Sequence, residues 1–139
     1  MGDLSAVTIK GVCLDDHGRV LLCRNDRGEW ELPGGRPHLG EPFPSCLTRE
    51  IAEETGLRTA VLGLLDAYPY EVLPGRWITV IVYGCETVRA ARPSASEEHD
   101  QVAFMDLAEI DAGELPAGYR EAILSWIQTI KAGSGSVAS

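Results

Sequence analysis

The chain has 139 residues, enough for one domain with a real core and little room for an appended module. Its 21 acidic and 12 basic residues give a formal net charge of −9. That argues against non-specific binding to DNA or RNA, where lysine and arginine must displace counterions. At 45% hydrophobic residues the composition is that of an ordinary globular protein.

In chain order, Ser5 to Leu14 reads as a strand with Val7, Ile9, Val12 and Leu14 as its apolar positions. Asp15-Asp16-His17-Gly18 is a turn signal before a second short strand, Val20 to Cys23, and the two are expected to pair as a hairpin. A further turn, Asn25-Asp26-Arg27-Gly28, leads into Trp30-Glu31-Leu32-Pro33-Gly34-Gly35. That glycine pair suits a loop whose backbone must approach a ligand closely. Pro42 and Pro44 fit the entry of a helix and Gly56 its C-cap, predicting a helix over 43–55 with Leu47 and Ile51 turned to the core. Beyond it, Ala60 to Leu65 and Trp77 to Cys85 read as strands, interrupted or bounded by Tyr68-Pro69-Tyr70 and Leu73-Pro74-Gly75. Residues 89–100 are polar and loop-like, and Gln101 to Met105 is a last short strand. Leu115-Pro116 opens a final helix through about Lys131, with Ala122, Ile123, Trp126 and Ile130 spaced for burial. The expected domain is residues 1–132, followed by a disordered tail over 133–139.

Two features bound the setting. No run of about 18 or more apolar residues occurs, and the N-terminus lacks the basic-then-apolar pattern of a signal peptide, so no membrane partner is expected and the compartment is read as cytoplasmic. Cys13, Cys23, Cys46 and Cys85 form no CxxC pair and have no histidines at zinc-site spacing, which points to reduced, partly buried thiols.

The stretch GRPHLGEPFPSCLTREIAEETGL, Gly35 to Leu57, carries the chemistry. On a helix turning about 100° per residue, Glu50, Glu53 and Glu54 share one face within an arc of about 100°. Like charges that close repel and raise one another's pKa, so the cluster needs a compensating cation. All-oxygen ligands suit hard divalent ions such as Mg2+ or Mn2+. A solvated acidic helix is the plainer alternative for such a run.

Gly35, five residues, Glu41, seven residues, then Arg49-Glu50-Ile51-Ala52-Glu53-Glu54-Thr55-Gly56-Leu57 closely resembles the Nudix box, G-x5-E-x7-R-E-U-x-E-E-x-G-U with U aliphatic. Every fixed position is filled. The resemblance implies an α/β fold, specifically an α/β/α sandwich with a mixed β-sheet between helices. It also implies hydrolysis of a nucleoside diphosphate linked to another group, by water attack on phosphorus with divalent cations. Carried over position by position, Glu53 and Glu54 would ligate metal through solvent-facing side chains. Glu50 would be a ligand or the base, and the Gly34 carbonyl would be a backbone ligand. Arg49 would tie down carboxylates, reaching Glu53 four residues on and also Glu41. Some relatives place the base or a further metal-binding glutamate on a late loop. Glu98 is the expected counterpart, with Glu97 as substitute, and His99 beside them reads as a surface residue. Cys46 lacks a histidine partner and reads as a packed bystander.

Substrate identity is less legible. Trp30, Tyr68, Tyr70, Trp77 and Tyr83 are candidates for stacking on a base, with Trp30 best placed. Arg24, Arg36 and Arg76 are candidates for phosphate contacts. Pro74 lies 17 residues past Leu57, where the family's ADP-ribose enzymes carry a proline; Tyr70, 13 past it, falls too early for the tyrosine of dinucleoside polyphosphate enzymes. The short chain equally resembles family members that clean up oxidised nucleoside triphosphates. The expected partner is a small nucleotide, and the family also admits homodimers and non-catalytic nucleotide sensors.

Overall fold

The computed structural model describes residues 6–88, 101–110 and 114–137, with side chains given as far as residue 133 in the last segment. The elements are β1 (Ala6–Leu14), β2 (Val20–Arg24), β3 (Trp30–Glu31), β4 (Gly34–Gly35), α1 (Phe43–Thr55), β5 (Thr59–Leu73), β6 (Arg76–Thr87), β7 (Gln101–Met105) and α2 (Ala117–Val137). Among the described residues the strands form one seven-stranded sheet in the order β3-β2-β1-β6-β5, with β4 on β1 and β7 on β2. The sheet is mixed: β1 and β6 run parallel from Ala6↔Ile78 to Leu14↔Glu86, and the other pairings are antiparallel.

The two-residue period of β1 and β2 assigns their side chains to opposite faces. Ile9, Cys13 and Leu21 pack with Cys46, Leu47, Ile51 and Leu57 on the α1 side. Val12, Val20 and Leu22 pack with Ala122, Ile123 and Trp126 on the α2 side, joined by Trp30 and Leu32. Helices thus cover both faces of the sheet, the α/β sandwich expected. At Gly11 of β1, α1 packs close, since a Cβ there would lie 3.1 Å from Leu47 and 3.3 Å from Ile51.

The expected bounds of α1 hold. Pro42 is its N-cap, at φ −61° and ψ 143°, and Gly56 caps its C-terminus at φ 75° with its N–H on the Ala52 carbonyl. Leu47 and Ile51 are fully buried.

Elsewhere the structure departs from the sequence pattern. β5 does not stop at Leu65 but runs through Tyr68-Pro69-Tyr70 to Leu73, with Pro69 paired to Thr79. It is the edge strand of the sheet, where a residue without an N–H breaks no ladder on the open side. Gly34–Gly35, expected as loop, pairs briefly with Ile9 and Lys10. α2 extends past Lys131 to Val137. Ile130, expected to be buried, stays 41% exposed.

Candidate functional site

The box residues converge on the guanidinium of Arg49. Its Nε and Nη2 donate to Glu41 Oε2 and Oε1 at 2.8 Å each, a bidentate pair. Nη1 donates to Glu50 Oε1 at 3.0 Å and Glu53 Oε1 at 2.9 Å. Glu41 also accepts the His38 N–H at 2.9 Å within the loop before α1, and its pair with Arg49 ties that loop to the helix. Held first by the Arg49 hydrogen bonds and then by His38, its carboxyl falls from an ordinary 4.5 to about 2. The same contacts, Glu41 foremost, push the Arg49 guanidinium further into its charged form.

As expected of the arginine in the box, Arg49 pairs with Glu41, Glu50 and Glu53; among the described residues no three His, Cys, Asp or Glu side chains gather as a metal-binding group. The donor chemistry nevertheless fits a hard divalent cation. Glu50 and Glu53 each give Oε1 to Arg49, and their Oε2 atoms make no hydrogen bond among the described residues. The Glu50 carboxylate lies over Gly35, where a Cβ would sit 2.7 Å from it, so glycine is what leaves room there.

Glu54 is not solvent-facing. It is 3% exposed, and its Oε1 accepts the Gly34 N–H at 2.8 Å. The helix turn carries it inward while Glu53, one residue earlier, has a side chain 59% exposed. Gly34 itself has φ 140°, and a Cβ there would collide with the Ile9 carbonyl oxygen. Cys46 is buried with its Sγ 3.8 Å from the Gly35 carbonyl; burial first, then Glu41, pushes its thiol up to about 11. That is an inert thiol, as expected of a bystander.

Beside this cluster, on the α2 side of the sheet, lies a cleft of about 900 Å³. It brings together Trp30, Arg36, Tyr70 and Arg76, four of the five residues expected to bind substrate. The fifth, Arg24, is not in the lining. Its Nε donates to the Gly28 carbonyl at 3.0 Å and its guanidinium lies 5.1 Å from the Trp30 ring centroid. Trp30 is only 8% exposed and largely packs the core, whereas Tyr70 is 43% exposed and better placed to stack on a ligand. Of the other aromatic candidates, Trp77 is exposed while Tyr68 and Tyr83 are partly buried, and none of these three lines the cleft. The box glutamates are outside the lining too; Arg36, just past Gly35, links the two regions.

The sequence pattern missed Lys10, Glu31 and Tyr119, which also line the cleft. A lysine in the middle of an otherwise apolar strand was the one available signal. Glu97, Glu98 and His99 lie outside the described residues.

The Nudix domain family matches residues 4–126, and the chain belongs to that family. It is 36% identical over 95 residues to a MutT-like protein of Streptomyces ambofaciens, covering 68% of this chain and 60% of that one. It is 30% identical over 105 residues to the ADP-ribose pyrophosphatase of Methanocaldococcus jannaschii, covering 73% and 62% respectively. The matched region thus spans about three fifths of these relatives' own length. In fold it is similar to the MutT protein of Methanosarcina mazei Go1, with a TM-score of 0.75 at 21% identity over 94% of this chain and 99% of that one.

Proposed function

We propose that the protein hydrolyses the pyrophosphate linkage of a nucleoside diphosphate joined to another group, with the box as its cation site and the adjoining cleft as its substrate site. The observation carrying this is the folded box itself: Glu50 over Gly35, Glu53 beside it, both held by Arg49 with one carboxylate oxygen left over. Glu50, Glu53 and the Gly34 carbonyl would hold a divalent cation such as Mg2+ or Mn2+, joined by Glu54 if it releases the Gly34 N–H. Such a cation neutralises phosphate charge, orients the leaving group and makes water a better nucleophile.

The chain's own residues supply the rest. Arg49 restrains the carboxylates that would otherwise repel one another. Glu50 would take the proton of the attacking water, with Glu98 as the alternative base or extra ligand. Arg36 and Arg76 would meet phosphates, and Tyr70, with the exposed edge of Trp30, would meet the base. The substrate class is a nucleotide sugar or ADP-ribose-like molecule, or a nucleoside triphosphate. The ADP-ribose pyrophosphatase relative and Pro74 support the former.

A non-catalytic nucleotide sensor is the second reading, since Arg49 occupies one oxygen each of Glu50 and Glu53, and among the described residues no three acidic, His or Cys side chains gather as a metal-binding group. Phosphate-ester product release from mixed nucleotides with Mg2+ separates the two when wild type is compared with Glu53→Gln. Hydrolysis is expected in the wild type, falling by about a hundred-fold or more in the variant. Equal rates for both would exclude the box as the catalytic site.

A further inference from the structure

Two charged side chains are buried among the described residues, Lys10 at 8% and Glu54 at 3% exposure. They hold the same short segment. The Lys10 ammonium donates to the Leu32 carbonyl at 3.0 Å, the Gly11 N–H to the Pro33 carbonyl at 3.1 Å, and the Gly34 N–H to Glu54 at 2.8 Å. Three consecutive residues are therefore each fixed by one bond, and Lys10 is also the strand-register partner of Gly34.

A buried ammonium is costly unless it is hydrogen-bonded, and an apolar side chain of similar length would avoid that cost. The neighbours of Lys10 on the same strand face, Thr8 and Val12, carry no charge. What lysine adds is a charge-assisted bond to a carbonyl 22 residues away, in the segment leading into Gly34 and Gly35. Lys10 and Glu54 also act on one buried group: the Cys23 thiol is pushed up by burial and then by Glu54, while Lys10 opposes the rise.

We propose that Lys10 is a positioning residue: by holding the Leu32 carbonyl it orients the peptides that follow, so that the Gly34 carbonyl faces the box carboxylates. The inference rests on the reading of Gly34 as part of a divalent-cation site. Groups that orient a metal's backbone or side-chain ligands typically change affinity about 10- to 100-fold when removed.

The test is Mn2+ titration of the full chain by electron paramagnetic resonance without nucleotide, on wild type, Lys10→Met and Lys10→Gln. Circular dichroism melting and the nucleotide KM at saturating Mn2+ accompany it. Lys10→Met should bind Mn2+ at least about ten-fold more weakly in the absence of nucleotide. Lys10→Gln, which keeps an N–H donor, should lose less. Unchanged Mn2+ binding together with a raised nucleotide KM would overturn the proposal and make Lys10 a direct substrate contact in the cleft. If Lys10→Met does not fold, Lys10→Gln decides on the same two readings. Wild-type Mn2+ binding by Glu53→Gln would instead fail the cation-site reading, whatever Lys10 does.

Discussion

Arg49 donates to three carboxylates within 3.0 Å, and Glu41 is the one it grips with both oxygens. Because the folded state lowers the Glu41 pKa from an ordinary 4.5 to about 2, the ionised form is favoured by folding. Its contribution to stability is therefore fully present above about pH 4.5 and is lost as pH falls toward about 2. Urea midpoints measured across that window should show the advantage of wild type over Glu41→Gln shrinking as pH drops. A difference that stayed constant would contradict the assignment. Much of this network was readable from spacing, since Arg49 and Glu53 are four apart on a helix. The inward turn of Glu54 was not, because it accepts a backbone N–H from 20 residues earlier, in the segment that pairs with β1 as β4.

At the scale of elements, α2 reaches the sheet through Trp126, whose indole lies over Gly84 and donates to the Cys85 carbonyl at 3.2 Å. A Cβ on Gly84 would stand 2.5 Å from the indole, so the helix could not keep its place. Gly84→Ala is expected to destabilise the fold by about 1–3 kcal/mol through overpacking. Gly63→Ala, on the neighbouring strand with open space around its Cα, is the control and should change little. Equal denaturation midpoints for wild type and Gly84→Ala would show that α2 packs elsewhere. Proline and glycine marked the ends of α1 correctly because Pro42 and Gly56 adopt backbone angles that stop a helix. The same punctuation misled at Pro69, since an edge strand tolerates proline and only tertiary pairing reveals which strand is at the edge.

For the whole molecule, a chain of net charge −9 is proposed to bind a substrate that is itself anionic. Acid gathers around Arg49, while Arg36 and Arg76 join Lys10 and Arg27 in a cleft lining that also holds Glu29, Glu31 and Glu114. The box was legible because local spacing encodes it, and the fold class followed from the family resemblance that the box carries. Cleft membership was only partly so: Lys10, Glu31 and Tyr119 come from separate elements that no short motif connects. The most direct measurement is a panel of ADP-ribose, nucleotide sugars, diadenosine polyphosphates, canonical dNTPs and 8-oxo-dGTP, incubated with Mg2+ or Mn2+ and resolved by chromatography. The account predicts cleavage at a pyrophosphate bond, one substrate class cut far faster than the rest, and no turnover once the cation is chelated. Intact nucleotide binding with no cleavage of any member would contradict it and leave a sensor built on a complete box.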